Sequence, residues 1–216
     1  MKKDTGPYYA IFLNISGRQC VVIGGGKVAL RKVLGLLEHH ALVKVISPIL
    51  CDELKELGKA GNIQIFQKVY QPGDLDGTLV AIAATNDPSV NTAVAKEGLE
   101  KKILVNVVDE PAISTFVLPA CLQRGDLNIA ISTSGKSPAL ARKLRTRLET
   151  EFGEEYAALV RIANEARSEA KRQGIQANGD AWQEALDIER LIKLVKQGEF
   201  EKAREVILAG LQTKKV

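Results

Sequence analysis

Histidine and cysteine, the side chains that most often hold a transition metal, are scarce in this chain. Its two histidines are neighbours, His39 and His40, and its three cysteines, Cys20, Cys51 and Cys121, stand far apart with no CxxC pair. That spacing excludes a zinc site and a disulfide framework, and no resident metal is expected. An odd, unpaired set of thiols fits a reducing compartment. Aromatic residues make up only 5% of the chain, and its single tryptophan, Trp182, sits in the helix-like DAWQEALDIE, where it reads as a packing anchor. No apolar run approaches the roughly 20 residues that cross a bilayer. The opening MKKDTGPYYAIFLNI lacks a long apolar core and a small-residue cleavage site. Neither a membrane partner nor a secretory leader is therefore expected, and the cytoplasm is the expected location. Charge is nearly balanced, at +4 over 216 residues. The excess is local, because residues 120–148 hold Arg124, Lys136, Arg142, Lys143, Arg145 and Arg147 against Asp126 alone. The segment is too short, and too poor in interleaved aromatics, for a nucleic-acid surface. It is either a solvated helix face or a patch that meets a small anionic ligand.

What the chain does have is alternation. Short β-branched runs, CVVI (20–23), VKVIS (43–47), IQIF (63–66), TLVAIAAT (78–85) and ILVNVV (103–108), are separated by helix-like stretches. The first of these places Ala29, Val33, Leu36 and Leu37 on one face. A second covers about 49–60, and a third follows Asp87, an N-cap with Pro88 at the first helical position. Strands alternating with helices predict a parallel sheet covered on both faces, and right-handed connections make it doubly wound. YAIFLNI (9–15) reads as a further, edge strand. From about Pro111 the texture changes: TFVLPA and LNIAIST read as strands joined by an RGD turn, and Ser137-Pro138 opens a helix. From about 150 onward the pattern is helical, with breaks at 173–180 and 197–200.

Between CVVI and the first helix stand Gly24, Gly25 and Gly26. Gly24-x-Gly26-x-x-Ala29 matches the dinucleotide fingerprint in its required setting, a strand before and a helix after. The first glycine permits the turn, the second lets the backbone reach a pyrophosphate, and the small third residue lets the helix pack. The ribose-binding Asp or Glu expected about 20 residues later is missing. The second strand ends in Ser47-Pro48-Ile49, where Ser47 offers a hydroxyl, Lys44 lies off the right face, and no arginine stands ready for a 2′-phosphate. These residues leave NAD and NADP both open.

GGGKVALRK, VISP, AIAATND, NVVD and SGKSPALAR, in that order, resemble the precorrin-2 dehydrogenase module of siroheme synthases, which also occurs as a stand-alone protein. The likeness runs from about Phe12 to Leu148, and the C-terminal helices share only its general character. The resemblance implies a Rossmann-type doubly wound sheet, a dimerisation and substrate-binding segment and a small helical domain, here 1–112, 113–149 and 150–216, in a homodimer. It implies NAD-dependent oxidation of precorrin-2 to sirohydrochlorin, with ferrous iron insertion as a second activity in some members. NAD would lie against Gly24, Gly25, Gly26, Lys27 and Val28, then Ser47, Pro48 and Ile49. The family shares the missing acid, which favours NAD. Thr85 and Asn86 follow the fourth strand, at the carboxyl ends where such sheets bind ligands.

Asp109, at the end of the fifth strand, is the family's candidate general base, with Glu110 as the neighbouring alternative; without the family it reads as a turn cap before Pro111. A carboxylate there suits the chemistry, because a macrocycle that has lost a hydride must shed a proton. Precorrin-2 is rich in carboxylates, and the resemblance gives the basic segment that anion: Arg124, Lys136, Arg142 and Arg145 would pair with them, and Thr133, Ser134 and Ser137 would add hydroxyls. Thr133 aligns with a position where some members carry serine. The alternative of another class is a non-catalytic Rossmann module that senses NAD(H), which needs neither Asp109 nor the basic stretch.

Overall fold

The computed structural model describes residues 7–212. They divide into two compact units, the first ending at Leu118 and the second beginning at Pro119.

The first unit runs β1 (Gln19–Ile23), α1 (Lys27–Glu38), β2 (Leu42–Ile46), α2 (Asp52–Lys59), β3 (Gln64–Phe66), β4 (Val80–Ala83), α3 (Pro88–Glu100) and β5 (Leu104–Val107). A short 3-10 turn, Pro111–Ile113, follows. All five strands are parallel, in the order β3-β2-β1-β4-β5, with Val22 opposite Val45 on one side and Ile82 on the other. This is the Rossmann-type doubly wound sheet. The central strand alternates its side chains between two cores: Cys20 and Val22 meet Ala29, Val33 and Leu36 of α1 and Leu54 of α2, while Val21 and Ile23 meet Val94 of α3, Tyr70 and Leu75. Each core buries a β-branched surface under a helical stripe, which is why the strands are apolar throughout rather than alternating.

The crossover from β3 to β4, residues 67–79, contains no helix. It is pinned by one buried carboxylate of α3. Glu97 accepts from the Tyr70 hydroxyl, from the backbone N–H of Gly73 (3.0 Å) and Leu75 (3.3 Å), and from Lys101 (2.7 Å).

Two expected strands are absent. Residues 9–15 make no ladder; Tyr9, Ile11 and Phe12 stand exposed, and only Ile15 packs against the first core. An alternating apolar pattern becomes a strand only where a sheet edge offers partners. TFVLPA is likewise no ladder strand before Ala120. Ser114 and Thr115 instead close the outer edge of β5, largely with hydroxyls: Thr115 N–H donates to the Val105 carbonyl (2.8 Å), Val105 N–H to Thr115 Oγ1 (2.7 Å) and Val107 N–H to Ser114 Oγ (2.9 Å). That satisfies an edge that would otherwise invite foreign strands.

The second unit opens with an antiparallel hairpin, β6 (Ala120–Arg124) and β7 (Leu127–Ile131), turning at Gly125-Asp126. Helices α4 (Pro138–Glu151), α5 (Glu155–Arg172), α6 (Gly179–Ala185), α7 (Ile188–Lys196) and α8 (Phe200–Gln212) follow. Leu159, Ile162 and Ala166 of α5, Leu191 of α7, and Ile207 and Leu211 of α8 form its core, with Trp182 packed at the margin. α4 buries only Ala141, and Leu140 and Leu144 remain 49% and 39% exposed. No helix among the described residues is long and apolar enough to cross a membrane.

Candidate functional site

The three glycines have three different environments. Gly24 sits at φ +124°, and a Cβ there would lie 2.3 Å from the Ala84 carbonyl oxygen. At Gly25 a Cβ would lie 1.9 Å from the Ile49 carbonyl oxygen, and the Gly25 carbonyl accepts from Cys51 N–H at 2.8 Å. Both are therefore demanded by the protein's own backbone, which folds the β1 turn between the ends of β4 and β2. Gly26 is different: nothing lies within 4 Å of its Cβ position, and its φ of −88° suits any residue. It is the N-cap of α1, with no side-chain cap and no acidic residue in the first turn. The leading N–H groups of the helix are thus left for an outside acceptor, with the positive end of the helix dipole behind them. Ala29, the small third position, is fully buried, as helix packing requires.

Around this opening lie the other expected nucleotide contacts. Lys27 reaches Glu53 at 3.2 Å, an exposed pair that solvent screens and that holds the lysine only loosely. Val28 and Ile49 are 42% and 80% exposed, large apolar side chains with no core to fill. Ser47 is buried, and its hydroxyl donates to the Ile49 carbonyl at 2.7 Å, so its proton is committed to shaping the loop. Pro48 is exposed, and its carbonyl accepts from Gln67 Nε2 at 3.3 Å. Beyond β4, Asn86 is exposed, but the Thr85 hydroxyl is taken: it donates to Asn91 Oδ1 (2.9 Å) and accepts from Asp87 N–H (3.1 Å). Asp87 caps α3 as expected, accepting from Ser89 N–H at 2.8 Å.

Asp109 follows β5, exposed, at φ +61°. Aspartate tolerates this left-handed backbone better than most residues. Glu110 lies beside it, half-buried at the start of the 3-10 turn. From α1, the half-buried Lys32 feels Asp109: burial and the Arg31 charge depress the lysine's pKa, and the Asp109 carboxylate opposes them.

The basic segment lies in the second unit. Arg124 is largely committed, with Nε donating to the Phe152 carbonyl (3.0 Å), Nη1 donating to the Gln123 carbonyl (2.9 Å) and the side chain paired with Glu154 (3.2 Å). Arg145 pairs with Glu149 at 3.2 Å. Lys136 and Arg142 are exposed with no ion pair among the described residues. The loop before α4 is tied by its own hydroxyls: Ser137 N–H donates to Thr133 Oγ1 (3.0 Å), and the Ser137 hydroxyl accepts from Leu140 N–H (3.3 Å) as the expected cap. Ser134 is exposed at φ +52° and followed by Gly135 at φ +75°. His39 and His40 are exposed, and the described residues contain no group of three His, Cys, Asp or Glu able to hold a metal. A groove of about 710 Å³ beside Gly125 and Arg161 of the second unit holds none of the expected site residues.

Sequence reasoning missed Asn91, Glu97 and Gln67. The first two left a trace: with Val94 and Gly98 they occupy the buried face of α3, and polar residues in such a stripe signal internal hydrogen bonding. Gln67 left none, because its importance comes from a loop it meets only after folding.

Residues 11–120 match the family model described as "Putative NAD(P)-binding", and residues 124–151 match that described as "Sirohaem biosynthesis protein central". Among curated relatives, the siroheme synthase of Photorhabdus laumondii subsp. laumondii is 36% identical over 207 residues, covering 95% of this chain and 44% of its own length. That of Nitrosococcus oceani is 40% identical over 207 residues, covering 94% and 44%. The chain thus spans less than half the length of these relatives. Among solved structures, "SirC, precorrin-2 dehydrogenase" superposes with a TM-score of 0.73 at 30% identity, covering 92% of this chain and 99% of that one.

Proposed function

Because the chain belongs to the NAD(P)-binding family that carries the sirohaem biosynthesis central segment, we propose that it oxidises precorrin-2 to sirohydrochlorin with NAD. The observation that carries this reading is the bare backbone of Gly26, the one glycine of three that the protein leaves open, at the uncapped amino end of α1. A diphosphate there would accept from the first-turn N–H groups of α1. Gly24 and Gly25 shape that turn, Lys27 borders it, and Val28, Pro48 and Ile49 offer exposed surface to the rest of the coenzyme. Ser47, Thr85 and Asn86 form the neighbouring strand ends. When bound, NAD supplies the acceptor for one hydride.

The chain's own residues handle the proton. Oxidation removes a hydride and a proton from adjacent atoms of the macrocycle and leaves a double bond. Asp109 takes the proton, and its exposure leaves the carboxylate free to reach a substrate. Of the four expected substrate cations, Lys136 and Arg142, which have no ion pair among the described residues, lead in holding substrate carboxylates, with Arg145 and Arg124 behind them. Thr133, Ser134 and Ser137 shape the loop beside them. Segment 113–149 is the dimerisation and substrate-binding part, between the coenzyme domain 1–112 and the helical domain 150–216. The working form is a cytoplasmic homodimer with no membrane or nucleic-acid partner. The half-exposed leucines of α4 support the dimer.

Incubating the protein with precorrin-2 and NAD, while following NADH fluorescence and the tetrapyrrole spectrum, tests the reading. Equal amounts of NADH and sirohydrochlorin are expected. NAD binding with neither product would replace the enzyme with an NAD(H) sensor. Adding ferrous iron to sirohydrochlorin, with and without the protein, measures iron insertion separately.

A further inference from the structure

We propose that Gln67 reads the adenosine ribose of the coenzyme and makes this chain select NAD over its 2′-phosphorylated form; this rests on the coenzyme reading above. The usual reader is a carboxylate at the end of the second strand. Here Ser47 stands at that end, but it is buried and its hydroxyl proton goes to the Ile49 carbonyl at 2.7 Å. The next strand supplies a substitute. Ser47 N–H donates to the Phe66 carbonyl at 3.2 Å, which carries β3 past the end of β2 and sets Gln67 beside the 47–49 loop. Gln67 Nε2 then donates to the Pro48 carbonyl at 3.3 Å. A carbonyl only accepts, so the amide must turn its NH₂ inward and leave Oε1 facing out. An outward acceptor oxygen suits a ribose hydroxyl, which donates, and repels a phosphate, which does not. The lysines of this edge already have partners: Lys68 is paired with Asp74 at 2.6 Å, and Lys44 lies over the Phe66 ring, 5.2 Å from its centroid. Gln67 itself is exposed, as a ligand-reading side chain must be.

The test titrates NAD and NADP separately into the full chain by calorimetry, for wild type, Gln67→Ala and Gln67→Arg, with melting temperatures as the fold control. Wild type should bind NAD about tenfold or more tightly than NADP. Gln67→Ala should weaken NAD about fivefold, the worth of one net hydrogen bond, and narrow the preference. Gln67→Arg keeps a donor for Pro48 and adds a phosphate fork, so NADP should tighten about tenfold. NAD binding by wild type with the NAD/NADP ratio unchanged within about twofold in both variants overturns the assignment of Gln67 and leaves the coenzyme reading standing. A wild type that binds neither coenzyme overturns that reading, and the role of Gln67 with it.

Discussion

Gly24, Gly25 and Gly26 are chemically identical neighbours with opposite tolerances. A methyl group at Gly25 would overlap the Ile49 carbonyl, and at Gly24 the Ala84 carbonyl, so either must move backbone. We expect Gly25→Ala to cost about 3 kcal/mol in urea denaturation, the scale of a severe core overlap. Gly26→Ala meets open space at an ordinary φ and should shift stability by under about 1 kcal/mol. The same substitution puts a methyl group where the diphosphate is proposed to rest, so NAD affinity should fall about tenfold or more by calorimetry. Unaltered affinity in a folded Gly26→Ala variant would remove the phosphate from that turn. Asp109 permits an equally clean substitution. Asparagine also tolerates φ near +61°, so Asp109→Asn should melt like wild type and bind NAD normally. Its precorrin-2 turnover should drop about 100-fold or more, the worth of a general base.

Among the elements, α3 fixes the crossover between β3 and β4, because its Glu97 holds a segment that has no helix of its own. Burial opposes the charge on Glu97. Lys101, the Tyr70 hydroxyl and two backbone N–H groups outweigh it, so the carboxyl sits below its ordinary value of 4.5. Burial and the adjoining carboxylate push the Tyr70 hydroxyl upward, which keeps it a donor. A depressed folded value contributes stability that is present above the unfolded value and lost as pH falls through the folded one. Denaturation midpoints of the wild type should therefore drop over the acid interval that opens below the ordinary value of 4.5. Glu97→Gln should start about 2 kcal/mol lower at neutral pH and lose less over that interval. An equal acid loss in both proteins would show that Glu97 is not the group being titrated. The edges of the same sheet show why two strand-like segments form no ladder. YAIFLNI and TFVLPA carry strand composition, but a strand also needs an unpaired edge. The edge of β5 is taken by Ser114 and Thr115 through hydroxyls, a pairing that periodicity does not encode.

At the scale of the molecule, two units with separate cores share one chain, and the second leaves Leu140 and Leu144 of α4 half-exposed. Leu140 and Leu144 on α4 together are expected to lie in the contact between two copies. Changing both to glutamate should convert a dimer into a monomer in sedimentation velocity while the helical circular dichroism signal stays. A wild type that sediments as a monomer would end the dimer reading outright. Interactions between near neighbours needed nothing beyond the order of residues to be read: the strand and helix periods, the caps at Asp87 and Ser137, and the glycine turn with Ala29 behind it. Each depends on groups within a turn or two, whose geometry the backbone nearly dictates. Which glycine stays bare, that Arg124 is already engaged, and that Gln67 lies against Pro48 all came from partners distant along the chain. Those pairings arise when packing closes the sheet and its loops, because burial leaves each polar group only the partners that arrive beside it.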